Sequence, residues 1–298
     1  MFPTLLIGVA LEARDRFLLD TCVSAAGPLG VKRIVLAHVR HDEAYPFELL
    51  DAPDPVAPGE GTDREIAALA ASLRLRLPGI EIADVFSVGS PAEEILRFAE
   101  VERADLLLLG RHAGEVTRLD KGLDGRAILR HSACTALVVP EGCPLGLSHA
   151  VVGVDFSRGA LHALRTAVRL FASITPVFGY HVEPGVGLGG LTHEASAQRL
   201  EERAREHFAT TVLPALPAGA RVEPFRTLEC GRPAEALLQV LAEVQADALV
   251  LGGHSRTRLA AALLGSTAER TVYEARVPVL VVRDRAARRG LLGSLVGG

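Results

Sequence analysis

Paired cysteines, a basic surplus and long apolar runs are all missing from this sequence, and each absence removes a class of function. Cys22, Cys134, Cys143 and Cys230 are scattered without a CxxC pair, so neither a zinc site built on paired thiolates nor a thioredoxin-like motif is implied. Lys and Arg number 32 against 36 Asp and Glu, a formal net charge of -4. A chain so balanced has little to hold a nucleic-acid backbone, and no nucleic-acid partner is expected. No apolar stretch approaches the roughly 18 residues that span a bilayer, so no membrane span is expected. Met1-Phe2-Pro3-Thr4 runs straight into a strand-like segment with neither a basic n-region nor a cleavage site, which makes the cytoplasm the expected location. GxxxxGK[ST], GxSxG and HExxH are also missing, setting aside a Walker-type NTPase, an α/β-hydrolase nucleophile and a zinc protease.

What is present is an ordinary globular composition, 49% hydrophobic and 23% charged over 298 residues, long enough for two domains of about 150 residues each. Internal comparison supports that division. Gly89-Ser90-Pro91-Ala92-Glu93-Glu94-Ile95-Leu96 reappears as Gly231-Arg232-Pro233-Ala234-Glu235-Ala236-Leu237-Leu238, and Ala104–Gly110 reappears as Ala246–Gly252. Ile7-Gly8-Val9 echoes Val152-Gly153-Val154, His38-Val39 echoes His181-Val182, and Ala136–Val139 echoes Val279–Val282, all in the same order. One domain has been duplicated.

Within each copy, short apolar runs alternate with helical patterns, the mark of βα units and a parallel sheet. Strands are predicted over Thr4–Ala10, Arg33–Val39, Glu81–Phe86, Leu106–Leu109 and Ala136–Val139, with helices over Ala13–Ala26, Asp63–Leu77, Pro91–Glu102 and Leu123–His131. The second copy's strands are predicted over Ala150–Asp155, Pro176–Val182, Arg221–Leu228, Ala248–Leu251 and Pro278–Val282. Each copy is therefore expected to be a doubly wound, five-stranded parallel α/β domain, Rossmann-like in its layers. The expected boundaries are 1–141 and 148–284 with a tail over 285–298, joined by a turn-rich segment short enough to keep the halves packed together.

In such sheets ligands sit outside the carboxyl ends of the strands, where the strand order reverses. Three pieces of the second copy converge there: Asp155 ending its first strand, Gly252-Gly253-His254-Ser255 ending its fourth, and Gly265-Ser266-Thr267 opening its last helix. Bare backbone N–H groups around small residues can cradle a phosphate, and an acid beside them can hold a sugar hydroxyl or a base amine. That describes a nucleotide. The expected cofactor-binding set is Asp155, Val182, Gly252, His254, Ser255, Gly265, Ser266 and Thr267. The competing account makes the glycines a tight strand-to-helix turn and Asp155, Ser266 and Thr267 helix caps. In the first copy Ala10 stands for Asp155 and Gly122-Leu123 for Gly265-Ser266, so that copy is expected to bind nucleotide weakly or not at all. Gly185–Gly190 matches GxGxxG but follows a second strand and reads as a loop, and His38, His41, Asp42 and Glu43 are too spread between strand and loop to favour a metal. The basic, then apolar, tail reads as an unordered terminus.

The motif Gly252-x-x-Ser255, nine residues, Gly265-Ser266, preceded by Ala246–Leu251 and followed by Val277–Val282, resembles that of the universal stress protein family, here in tandem form. The resemblance implies a cytoplasmic stress-response protein whose ATP-binding branch uses Gly-x-x-Gly, nine residues, Gly-Ser/Thr for the phosphates. Gly252, Gly265, Ser266 and Thr267 match that loop, Asp155 matches the acid near adenine and ribose, and Ser255 replaces the second glycine. If that position needs positive φ, serine costs about 1–2 kcal/mol. Family members pair through their last strands, so the resemblance also implies an intramolecular pseudo-dimer with Ala136–Val139 beside Val279–Val282, and association of such chains into a homodimer. The expected ligand is ATP, with or without Mg2+, or another adenine nucleotide. Two further readings stay open: a slow ATPase or phosphotransferase using His254, Arg256 or Arg258, and a stress interaction protein with no nucleotide. Binding is favoured over catalysis because no orienting carboxylate stands near those three residues in sequence.

Overall fold

The computed structural model describes residues 1–12, 15–41, 60–111, 125–182, 192–253 and 265–283. The chain divides into two units, Met1–Pro144 and Leu145–Gly298. The first unit runs β1 (Thr4–Val9), α1 (Arg16–Leu29), β2 (Arg33–His41), α2 (Glu60–Arg76), β3 (Glu81–Gly89), α3 (Pro91–Val101), β4 (Leu106–Arg111), α4 (Gly125–His131) and β5 (Thr135–Pro140). Its strands lie in the order β3-β2-β1-β4-β5, each pair parallel. The second unit runs β6 (His149–Gly153), α5 (Arg158–Leu170), β7 (Ser173–Tyr180), α6 (His193–His207), β8 (Arg226–Glu229), α7 (Pro233–Glu243), β9 (Ala248–Gly252), α8 (Ser266–Glu274) and β10 (Val279–Val282). Its order is β8-β7-β6-β9-β10, again parallel throughout.

The reason for this architecture is local. Leu106, Leu107 and Leu108 are at most 1% exposed although their side chains alternate across the sheet, which requires helices on both faces and explains the unbroken apolar run. Pro91 and Pro233 open α3 and α7, where a missing N–H costs no helical bond. Ser157 caps α5 by accepting from the Ala160 amide at 3.1 Å, and Gly30 ends α1 in the left-handed conformation.

The duplication extends to backbone detail that no letter-by-letter match displays. The Asp105 carboxylate accepts from the Thr4 amide, and the Asp247 carboxylate accepts from the Ser148 and His149 amides, so the same acid ties the fourth strand to the first in both units. Leu11 and Phe156, one residue past equivalent strand loops, both adopt positive φ (63° and 60°), as do Arg103 and Gln245 (51° and 47°). β8 starts at Arg226 rather than at the predicted Arg221, because Val222 makes only an isolated bridge to Ile174 and Pro224 has no amide to extend the ladder.

Candidate functional site

In the second unit the chain leaves β6 toward β7 on one side and reaches β9 on the other, so the strand order reverses between β6 and β9. A cleft of about 210 Å3 opens at their carboxyl ends. The β6–α5 turn lines it with Val154, Asp155 and Ser157, the end of β9 with Leu251 and Gly252, and the start of α8 with Gly265, Ser266 and Thr267. Asp155, Gly252, Gly265, Ser266 and Thr267, from three separate stretches of the chain, line one cleft as predicted.

The turn after β6 is held by Asp155 itself, whose Oδ1 accepts the Ser157 amide at 2.9 Å. This bond forms a turn ahead of the helix, and the cap of α5 is Ser157 rather than Asp155. Oδ2 takes no hydrogen bond from the described residues, and the partly exposed carboxylate still lines the cleft. The left-handed Phe156 that follows costs about 1–2 kcal/mol; its ring is fixed edge-on against Phe178 (5.2 Å between centroids) and His207 (5.1 Å).

The glycines divide into two kinds. A Cβ on Gly252 would lie 2.6 Å from the Gly159 carbonyl carbon and 2.8 Å from the Ala160 amide nitrogen; glycine is required there because β9 packs directly on the backbone of α5. The neighbouring Gly253 amide donates to the Val282 carbonyl at 2.8 Å, so it is spent in the sheet ladder and is not a bare donor. Gly265 is different: a Cβ there meets nothing within 4 Å, and its backbone (φ -65°, ψ 147°) is open to any residue. As the N-cap of α8 it offers no side chain to the first turn. The amides of Ser266, Thr267 and Ala268 precede the first intrahelical bond, from Glu269 to Gly265 O, and point out of the helix N-terminus with its partial positive charge. Space where a side chain would sit and amides without a cap fit an anionic group.

Val182 does not belong to the described lining of this cleft. It is 7% exposed and packs with Tyr180 and Ala197 beside α6, its carbonyl accepting from His193 at 3.2 Å. Tyr180 donates to Glu201 at 2.8 Å; burial, and then that bond, push its phenol well above the ordinary value. The strand registers explain the displacement of Val182. Gly8 pairs with Ala37 and its counterpart Gly153 pairs with Val177, so Val39 corresponds in space to Gly179, three residues before the match suggested by the His-Val echo. Gly179 does line the cleft, and a Cβ there would come within 3.0 Å of Pro233 Cα and Ala236 Cβ. Pro233 and Leu237 of α7 line it as well; the repeated Gly-x-Pro-Ala-Glu segment marked that helix start, but nothing in its letters indicates that it faces a ligand. His254 and Ser255, with Arg256 and Arg258, lie outside the described residues, as do Gly122, Leu123, Asp42, Glu43, the Gly185–Gly190 segment and the tail.

In the first unit Ala10 stands where Asp155 does, and Asp15, 2% exposed, stands at the counterpart of Ala160. The Asp15 carboxylate accepts from the Glu12 amide at 3.1 Å. An acid therefore remains near this strand end, but one turn further on and buried.

Comparison with known proteins agrees with this architecture. The family model described as "Universal stress protein family" matches residues 1–140 and again 147–283. A universal stress protein of Mycobacterium tuberculosis is 27% identical over 250 residues, 76% of this chain and 78% of its own length. One from Methanocaldococcus jannaschii is 32% identical over 133 residues, 44% of this chain and 77% of its own. Among solved structures, a universal stress protein from Archaeoglobus fulgidus superposes with a TM-score of 0.64 at 18% identity, covering 94% of this chain and 96% of that one, a likeness of fold. Two successive family matches over almost the whole length, on two copies of one doubly wound domain, make this chain a member of the universal stress protein family in its tandem form.

Proposed function

We propose that the second unit binds ATP or another adenine nucleotide as a regulatory ligand, without turning it over as its main activity. The observation that carries this reading is the convergence, in one cleft, of an uncapped helix N-terminus and a carboxylate with one oxygen uncommitted. The Ser266, Thr267 and Ala268 amides and the Ser266 and Thr267 hydroxyls would hold phosphate oxygens. Asp155 Oδ2 would accept from a ribose hydroxyl or the adenine amine. Val154, Val177 and Leu237 offer an apolar surface for a flat ring, while Gly179 allows α7 to pack closely on the strand beside it. A Mg2+ ion arriving with ATP would ride on the phosphate oxygens and offset part of their charge.

Thermal unfolding with and without Mg-ATP tests the proposal. Ligand at a hundred times its dissociation constant should stabilise the protein by about 2.7 kcal/mol. Mass spectrometry of small molecules released from freshly purified protein gives a second readout. Absence of both a thermal shift at millimolar ATP and a co-purified nucleotide would leave the interaction-protein reading instead.

A further inference from the structure

A second cavity, about 140 Å3 in volume, lies in the same unit beside the first. Val154, Ser157 and Ala160 line both, so the β6–α5 turn is their common wall. On its far side, Leu161 and Leu164 of α5 face Thr211 and Val212 at the end of α6, where the helix widens into a π-turn over Phe208–Val212. Single π-turns within helices recur at functional sites. Phe156 lines it as well, its ring held by Phe178 and His207. The body of the cavity is thus apolar.

Its mouth is of another character. Arg158 and His207 both line it and both are exposed. Among the described residues neither side chain takes part in a hydrogen bond or ion pair; the His207 side chain makes only its ring contact with Phe156. No Asp or Glu is among the described lining residues. Two basic side chains without acidic partners, set at the opening of an apolar chamber, match a molecule with an apolar body and an anionic head. Size narrows the class: an apolar cavity of roughly 150 Å3 holds one benzene ring.

We propose that this cavity is a second ligand site, taking a small monocarboxylate whose body is one aromatic ring or a chain of about six carbons, with its carboxylate between Arg158 and His207. The proposal does not depend on the nucleotide reading, because its ligand and the basic residues at its mouth are different, although Val154, Ser157 and Ala160 border both cavities. A ligand there would lie against the β6–α5 turn that carries Asp155.

Titration calorimetry and saturation-transfer NMR of the full chain with benzoate and hexanoate test it, with benzyl alcohol as the neutral counterpart of benzoate. Both acids should bind, and benzyl alcohol should bind at least about tenfold more weakly, as expected when a charged hydrogen bond is lost. Arg158→Gln and His207→Gln should each weaken benzoate about three- to tenfold. Thr211→Trp, at an exposed position that leaves the core intact, should fill the cavity from the π-turn side and abolish binding; Leu161→Trp should do the same from the α5 side. No signal from either acid at millimolar concentration overturns the proposal. So does benzyl alcohol binding as tightly as benzoate, or benzoate binding unchanged in a Thr211→Trp protein whose melting curve shows it folded.

Discussion

Gly252 and Gly265 occupy the two ends of one sequence motif, and substituting each separates the work of packing from the work of binding. Gly252→Ala forces a methyl to within 2.6 Å of the Gly159 carbonyl carbon and 2.8 Å of the Ala160 nitrogen. Both are backbone atoms of α5, so no flexible side chain can yield, and the cost lies toward the upper part of the roughly 1–3 kcal/mol range for overpacking. For a unit of this size each kcal/mol shifts Tm by about 2–4 °C, giving a loss of about 5–10 °C. Gly265→Ser has the opposite sign. The backbone at 265 already has the extended angles of an N-cap, and a Cβ meets nothing within 4 Å. Serine can then accept from the open amides of α8 and stabilise the helix by a few tenths of a kcal/mol, about 1 °C. Those same amides are the proposed phosphate donors, so the more stable protein should lose most of its Mg-ATP thermal shift. Differential scanning calorimetry of both variants, with and without Mg-ATP, reads all four quantities. A Gly265→Ser protein that is stabilised yet keeps the full ATP shift would refute the assignment of phosphate to these amides, and an unperturbed Gly252→Ala protein would refute the packing argument.

Other consequences can be checked in the same preparations. Asp155→Asn keeps an oxygen for the Ser157 amide, so the melting temperature without ligand should change little while nucleotide affinity falls by about tenfold, measured by titration calorimetry. Asp247→Ala removes the acceptor of the Ser148 and His149 amides, each at 2.8 Å. It should cost about 2–4 kcal/mol in urea unfolding, because two donors at the head of β6 lose a charged partner. Burial pushes the Cys22 thiol from its ordinary 9.0 to about 12, with a smaller opposing pull from Arg76. The unfolded chain therefore ionises this thiol before the native one does, and stability should decline as pH rises from 9 toward 12. Cys22→Ala should flatten that decline, and iodoacetamide should reach Cys22 in the native protein only at the rate of unfolding.

How much of the site was readable in the letters differed from residue to residue. Asp155, Gly252, Gly265, Ser266 and Thr267 were found because each ends a strand or opens a helix, and in a parallel sheet every strand end falls on the same edge. Val182 lies outside the described lining of the cleft for a specific reason: the pair His181-Val182 copies His38-Val39 in letters, whereas the ladder from Gly153 to Val177 sets β7 three residues earlier. Register is decided by hydrogen bonds to a neighbouring strand, and a short repeated dipeptide carries no information about them. Pro233 and Leu237 escaped notice because a helix start and an apolar helix face look the same whether they border a core or a cleft.

From its sequence alone this protein is two copies of a doubly wound parallel α/β domain, with Asp155 retained in the second and replaced by Ala10 in the first. That much is local, since apolar runs, N1 prolines and capping residues act within a few positions of themselves. Tertiary structure alone distinguished the two glycines, one demanded by the backbone of α5 and one leaving room above bare amides. It also brought Gly179 rather than Val182 to the cleft and opened a second chamber between α5 and the π-turn. Each of these depends on which distant backbone comes within a few ångströms, a quantity set by packing across the whole unit.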